Sequence, residues 1–198
     1  MDLKPARLTF DELFDLVALF FACRGTCNRL RTSTVIRDKE NIFIAAGYNG
    51  SLPKSPHCDE VGHLIVDNHC MRTNHGEDNA ILNCLDLTRI NGGTATIISN
   101  PCYPCARKLI AKKIKRLRYV GAYYKNAAGG DLVAELCKEK GVILEVVDIN
   151  EVLMTLQKAL EFLQGPGGPL KDFPEIQLVL LNRKVSGDKK QQKIKEDE

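Results

Sequence analysis

The sequence contains no tryptophan, and aromatic residues make up only 6% of its 198 residues. Its formal net charge is +3, which excludes a strongly basic nucleic-acid binder by bulk charge. Basic and aromatic residues do not interleave to form a surface on which bases would stack. The seven basic side chains between Arg107 and Arg118 are a local candidate for a nucleic-acid stripe, but a solvated helix face is the favoured interpretation.

Long apolar runs and an export signal are missing as well. The apolar run near the start, residues 16–23, is far shorter than the ~20 residues that cross a bilayer. The residues before it are more acidic than basic, unlike those of a secretory signal. We therefore expect a cytoplasmic protein that does not interact with a membrane.

Cysteine and histidine are abundant and clustered. Eight cysteines in a chain without an export signal indicate metal binding or catalysis rather than disulfides. Cys102 and Cys105 form a CxxC motif, and all four histidines fall between His57 and His75. Residues 51–74 contain most of this cluster and show neither a helical nor a strand-like hydrophobic period. We therefore expect this segment to be functional, or to be ordered by something other than a hydrophobic core.

The remaining sequence predicts one α/β domain. Thr9 and Glu12 form a capping box at the start of a helix that is expected to reach Arg24. From about Ala95, strands alternate with helices, which is typical of a sheet with helices on its faces. The predicted elements are strands 33–37, 42–46, 95–99, 117–123 and 142–147, and helices 75–89, 101–113, 130–140 and 150–164. We divide the chain into a domain over 1–164, a C-terminal extension over 165–183 and a charged tail over 184–198 that is expected to be disordered.

The chemistry is carried by His75-Gly-Glu77 and Pro101-Cys-Tyr-Pro-Cys105. Cys102 and Cys105 are spaced so that both sulfur atoms face the same way at a helix start, and His75 begins a neighbouring helix. Three such ligands leave the fourth position of a zinc ion for water, as in a catalytic site. Glu77 would reach that water without binding the metal, which suits a proton shuttle.

These two motifs fit the H-x-E…P-C-x-x-C signature of zinc deaminases. His75-Gly-Glu-Asp-Asn-Ala-Ile81 resembles the H-A-E-x-N-A-I segment of the cytidine/deoxycytidylate deaminase superfamily, with Gly76 in place of the usual alanine. Several further segments resemble bacterial and phage deoxycytidylate (dCMP) deaminases more narrowly, and together the matches cover residues ~8–147. They are Cys27-Asn-Arg29, Gly47-Tyr-Asn-Gly-Ser51, His57-Cys58, Gly62-His63 and Asn68-His-Cys-Met-Arg-Thr73.

The resemblance implies a cytidine deaminase-like three-layer α/β/α sandwich with a five-stranded mixed sheet. It also implies zinc-dependent hydrolysis of dCMP to dUMP and ammonia, which feeds thymidylate synthesis, by a homo-oligomer that is often a hexamer. Catalytic zinc would be held by His75, Cys102 and Cys105, with Glu77 as the catalytic residue.

The resemblance further suggests residues for the substrate. Asn49 would reach the sugar, and the Gly76 N–H would hold the pyrimidine carbonyl. Arg29 and Tyr124 would contact the 5′-phosphate or the base pocket, the arginine because its fork gives bidentate hydrogen bonds. Arg29 as a surface arginine and Tyr124 as a core residue remain alternatives.

The resemblance also implies a second, structural zinc. Its ligands would be Cys27, Cys58, His63 and Cys70, and such a site would order the irregular segment 51–74. His57, His69 and Cys23 compete for membership of this site. Cys84 and Cys137 lie in helical apolar patterns and are expected to be buried as small hydrophobic residues.

Three other functions remain open. The substrate could be free cytidine or a modified dCMP, which the sequence does not separate from dCMP. A deaminase of tRNA or single-stranded DNA is a second alternative. A zinc scaffold or competence-type factor without activity is a third, against which Glu77 argues because a purely structural site needs no carboxylate beside the metal.

Overall fold

The computed structural model of the chain describes residues 7–121, 130–176 and 178–179. Across these residues a five-stranded mixed sheet runs in the order β2-β1-β5-β6-β7. β1 is antiparallel to both of its neighbours, whereas β5, β6 and β7 are parallel. The strands are β1 (Ser33–Arg37), β2 (Phe43–Tyr48), β5 (Thr94–Ile98), β6 (Arg116–Val120) and β7 (Ile143–Val147).

Helices cover both faces of the sheet. One face carries α1 (Phe10–Ala22) and α6 (Ile149–Gln164), and the other carries α3 (Gly76–Leu82), α4 (Tyr103–Ala111) and α5 (Gly130–Lys140). The two faces have separate apolar clusters, one around Leu109 and Leu117 and the others around Phe14 and Leu16. This architecture confirms the three-layer α/β/α sandwich with a five-stranded mixed sheet.

The first helix and the first two strands form close to the positions that the sequence predicts. Thr9 caps α1, since its side chain accepts from the Glu12 N–H and the Glu12 carboxylate accepts from the Thr9 N–H. All five residues of β1 are buried, because the strand lies inside the sheet with helices on both faces.

The helix predicted over 75–89 is wrong in its length. The helix α3 ends at Leu82, and a separate 3₁₀ turn covers Leu87–Ile90. Asp86 caps this turn by accepting from the Thr88 N–H. The prediction extended too far because the helical spacing of apolar residues continues in the sequence as far as Leu85. In the structure the Leu85 side chain is fully exposed.

Residues 51–74 contain only short elements. They are the helix α2 (Cys58–Val61) and a two-stranded hairpin of β3 (Ile65–Val66) and β4 (His69–Cys70). Asp67 and Asn68, between the two strands, have φ angles of 47° and 59°, as a tight type I′ turn requires.

Partly buried ion pairs tie α1 to the parallel strands. Arg116 and Arg118, on β6, form paired hydrogen bonds with Asp11 and Asp15 of α1, and both also contact Glu145 of β7. Two of the seven basic side chains in the 107–118 run are therefore partly buried and paired with carboxylates. Lys108, a third, is paired with Asp78.

Three predictions concern residues outside the described parts of the chain. These are Tyr124, the later part of the strand predicted over 117–123, and the tail 184–198. The division into domain, extension and tail stays a prediction. Among the helices that are described, none is both long and apolar enough to cross a membrane.

Candidate metal-dependent active site

The candidate site lies where three chain segments meet at one edge of the sheet. β1 begins, β2 ends and β5 ends at this edge, as the pairing of Ser33 with Tyr48 and of Thr34 with Ile97 shows. Thr32, just before β1, links all three, because its carbonyl accepts from the Asn49 N–H and its hydroxyl donates to the Ile98 carbonyl. The starts of α3 and α4 lie beside these strand ends.

The first Cys/His cluster consists of His75, Cys102 and Cys105. His75 Nδ1 lies 3.5 Å from Cys102 Sγ and 3.4 Å from Cys105 Sγ. Bonds of about 2.3 Å to sulfur and about 2.0 Å to nitrogen in a tetrahedral zinc site separate the sulfur and nitrogen atoms by about 3.5 Å. The cluster therefore fits a zinc ion with three protein ligands and one open position.

Local geometry holds these donors in place. His75 and Cys102 are the N-cap residues of α3 and α4, and Pro104 lies in the first turn of α4, where its missing N–H costs nothing. A hydrogen bond from the Cys105 thiol, and the neighbouring His75, lower the pKa of Cys102 to about 4. The same hydrogen bond and burial raise the pKa of Cys105. The pair thus loses its first proton readily, and a metal ion would displace the second.

Glu77 lies in the same pocket as His75 and Cys102. It is 4% exposed, and this burial raises the pKa of its carboxyl to about 7. A buried acid with such a pKa beside a metal-binding cluster can both accept and donate a proton near neutral pH.

The second cluster consists of Cys27, Cys58, His63 and Cys70. Cys70 Sγ lies 3.5 Å from Cys58 Sγ and 3.6 Å from His63 Nδ1, and Cys27 Sγ lies 3.8 Å from the same nitrogen. These spacings also fit tetrahedral zinc, here with four protein ligands. The other ring nitrogen of His63 pairs with Asn28 Oδ1 at 2.7 Å, the outer contact that orients a metal-bound histidine.

The three competing residues lie outside this second cluster. His57 pairs through Nδ1 with the Thr26 hydroxyl, His69 lines the pocket, and Cys23 is exposed at the end of α1. Cys84 and Cys137 are buried in the core, as expected.

The pocket between the two clusters has a volume of about 380 Å³. Asn49 and Arg29 both line it. Asn49 is buried, and its Oδ1 accepts from the Gly76 N–H at 2.8 Å. The Arg29 guanidinium donates to Asn68, at 2.9 Å to its carbonyl and 3.3 Å to its Oδ1.

Several pocket residues were not predicted. His69, Thr73 and Ser99 line the pocket, and Ser99 has a left-handed φ of 78°. Thr73 places its hydroxyl 3.0 Å from Cys58 Sγ. Only His69 carried a sequence signal, through its place in the histidine cluster.

Three Cys and His donors beside a buried glutamate, at one edge of an α/β/α sandwich, are typical of zinc-dependent deaminases. The family model described as the cytidine and deoxycytidylate deaminase zinc-binding region matches residues 9–121. The chain belongs to this family.

One curated relative supports this assignment, and two solved structures share the fold. ComE operon protein 2 of Bacillus subtilis (strain 168) is 34% identical over 170 residues, which are 84% of this chain and 87% of that protein. The dCMP deaminase of cyanophage S-TIM5 in complex with dCMP and dUMP superposes with a TM-score of 0.56 at 18% identity, covering 72% of this chain and 99% of the other. Its apo form gives a TM-score of 0.53 at 19% identity, covering 72% and 100%. At this identity the crystal structures show a shared fold.

Proposed function

We propose that the chain is a zinc-dependent deaminase that hydrolyses dCMP to dUMP and ammonia. The observation that carries the proposal is the burial of Glu77 in a pocket whose wall also carries His75 and Cys102. A purely structural metal site gains nothing from a buried carboxylate, whereas hydrolysis needs a group that moves protons.

His75, Cys102 and Cys105 would hold the catalytic zinc. Zinc bound there lowers the pKa of water at its open position towards ~7 and so makes hydroxide available at neutral pH. Cys27, Cys58, His63 and Cys70 would hold a second zinc, whose role is to order residues 51–74, because little apolar core exists in that segment.

Glu77 would carry the proton through the reaction. It takes a proton from the attacking water as a bond forms to C4 of the cytosine ring, and it protonates the ring nitrogen N3. It then takes the remaining proton from the oxygen now bonded to C4 and delivers it to the amino group, so that the C4 carbonyl forms as the C4–N bond breaks and ammonia leaves. A carboxyl with a pKa near 7 suits both directions of transfer.

The pocket walls supply groups for a nucleotide. Asn49 would reach the sugar and the Gly76 N–H the pyrimidine carbonyl, after exchange of the hydrogen bond that joins these two residues. Arg29 would bind the 5′-phosphate, together with His69, which lines the same pocket. The contact of Tyr124 with the phosphate or the base remains a prediction. The homo-oligomer also remains a prediction, which a molar mass measured by light scattering would test.

A polynucleotide substrate has less support. Arg116 and Arg118 are paired with Asp11, Asp15 and Glu145, so the basic run presents fewer free cations than the sequence indicates. Cytidine and modified dCMP would fit the same chemistry, and the experiment must separate them.

The experiment measures ammonia release from CMP, dCMP, dCTP, cytidine and 5-methyl-dCMP, with zinc content measured in every protein sample. We expect dCMP to give the highest kcat/KM. Glu77→Gln should keep its zinc and lose about 10²–10⁴-fold in kcat.

Asp78→Asn is the matched control, since this neighbouring acid is paired with Lys108 and lies outside the pocket. It should keep wild-type turnover. Zinc-loaded wild-type protein that releases no ammonia from any of the five compounds would overturn the proposal, and so would a Glu77→Gln protein with near wild-type kcat.

A further inference from the structure

We infer that Asn79 is a positioning residue that fixes the turn carrying Asn49 against the start of α3. This inference rests on the proposed function, because it assigns a role in substrate binding at the same site. No step of the reaction uses Asn79, and its side chain is absent from the pocket lining.

The Asn79 amide reaches the carbonyl groups on both sides of Asn49. Its Nδ2 donates to the Tyr48 carbonyl at 2.8 Å and approaches the Gly50 carbonyl at 3.4 Å. Its Oδ1 accepts from Asn74 Nδ2 at 3.2 Å. One side chain on α3 thus holds the turn at two points and also holds the residue that precedes His75.

Asn49 itself is the point of contact between this turn and the reaction site. Its Oδ1 accepts from the Gly76 N–H, and its Nδ2 donates to the Leu30 carbonyl at 3.1 Å. Its backbone is bound on the other side, by the Thr32 carbonyl and the Thr26 N–H. The position of Asn49 relative to α3 therefore depends on the flanking carbonyl groups that Asn79 holds.

Loss of the Asn79 amide would act on binding more than on chemistry. The Tyr48 carbonyl would lose its side-chain donor, and the turn could shift relative to the Gly76 N–H. His75 and Cys102, in contrast, are placed by the starts of α3 and α4, and Glu77 by α3. We therefore expect a higher KM with little change in kcat or zinc content.

Asn83, the C-cap residue directly after α3, offers a matched control four residues further along the chain. Its Nδ2 donates to the Ala46 carbonyl at 2.9 Å, so it joins the end of the same helix to the same strand by the same kind of bond. The Ala46 carbonyl lies earlier in β2, and neither Asn83 nor Ala46 lines the pocket. A role in stability alone would make Asn79 and Asn83 equivalent.

The test compares Asn79→Ala and Asn83→Ala with the wild type in kcat and KM for dCMP, zinc content, Tm and the Kd for dUMP by calorimetry. We expect KM and Kd to rise by about tenfold or more in Asn79→Ala, with kcat within about threefold and zinc retained. Asn83→Ala should lower Tm by a similar amount but change KM and Kd less than about twofold. Asn79→Ser, whose hydroxyl is too short to reach both carbonyl groups, gives the same comparison if the alanine variant folds poorly.

If the wild-type protein is active but the Asn79 and Asn83 variants have equal KM values, this inference is overturned and the proposed function is not. Loss of zinc with collapse of kcat in the Asn79 variants would also overturn it, because the residue would then support the metal ligands rather than the turn. A wild-type protein that neither binds dUMP nor deaminates dCMP would instead overturn the proposed function, and this inference with it.

Discussion

Cys70 and His75 belong to different Cys/His clusters, although only four residues separate them in the sequence. Thr73 lies between them, with its hydroxyl 3.0 Å from Cys58 Sγ and 3.8 Å from Cys70 Sγ. The Asn74 backbone pairs with Gly50, which fixes the same segment from the other side. The two clusters are therefore joined by a short and well-anchored stretch of chain.

Zinc content should respond differently to changes in the two clusters. We expect about two zinc ions per wild-type chain and about one in His75→Ala, which leaves the four-ligand cluster intact. Cys58→Ser should lose the other zinc and also weaken zinc binding at His75, by about tenfold in competition with a chelator, because the Cys70–His75 stretch loses its anchor. Cys23→Ser, at an exposed position outside both clusters, should match the wild type. One zinc per wild-type chain would contradict the four-ligand assignment.

Two glycines at the helix–strand contact should differ in their tolerance of a methyl group. A Cβ at Gly47 would lie 2.2 Å from the Ala80 nitrogen and 2.4 Å from the Gly76 carbonyl oxygen, and both are backbone atoms. A Cβ at Gly76 would lie 3.1 Å from Ser33 Cα. Gly47→Ala should therefore fail to fold or lose more than about 3 kcal/mol of unfolding free energy, while Gly76→Ala should lose about 1 kcal/mol in urea denaturation. Equal losses would show that the helix can move away from the strand.

Arg29 should contribute to binding of the substrate's 5′-phosphate and not to binding of its base. In Arg29→Ala we expect KM for dCMP to rise by about 10–100-fold, because a charge-assisted hydrogen bond is lost. Turnover of deoxycytidine, which has no phosphate, should stay near the wild-type value. Arg31→Ala, an exposed neighbour absent from the pocket lining, is the control. An equal loss for both substrates would mean that Arg29 acts by holding Asn68.

Acid should destabilise the fold through Asp11. Burial opposes ionisation of this carboxyl, but hydrogen bonds from Arg116 and Arg37 outweigh it and lower the pKa from 3.8 to about 2. The ionised group therefore stabilises the folded state fully above pH ~4, and this contribution is lost as the pH falls through about 2. Asp11→Asn should cost about 3 kcal/mol at pH 7, since the buried Arg37 loses an anionic partner.

Urea denaturation of wild type and Asp11→Asn between pH 7 and pH 2 tests this expectation. The difference between the two unfolding free energies should shrink in the acid range. Glu139→Gln, whose carboxylate forms only an exposed pair with Lys140, should give a small difference at every pH. A difference for Asp11→Asn that does not change with pH would contradict the expected titration.

The parts of the site that were predictable from the sequence are those set by local geometry. The CxxC spacing predicts that Cys102 and Cys105 lie together at one helix start, and the local pattern places His75 at the start of another. The length of α3 was predicted wrongly, because Leu82 and Leu85 continue an apolar period although both are exposed. Periodicity cannot reveal that no partner element covers a helix face.

Other features depend on contacts between distant residues. The hairpin register pairs Ile65 with Cys70 and Val66 with His69, and it decides that Cys70 joins the cluster. The sequence also could not show which basic residues between Arg107 and Arg118 are paired. The α1 partners of Arg116 and Arg118 lie about a hundred positions away.

The backbone-to-backbone contact at Gly47 has a consequence for how this pocket can change. Since no side chain separates β2 from α3 there, the spacing between them is insensitive to which residues fill the interior. The distance between β2 and α3, the helix that carries Glu77, is therefore fixed, and new substrate preferences would have to arise in other stretches that line the pocket, around Arg29, His69 and Asn100. Variant libraries aimed at altered selectivity should therefore randomise those stretches and leave Gly47 and its contact with α3 unchanged.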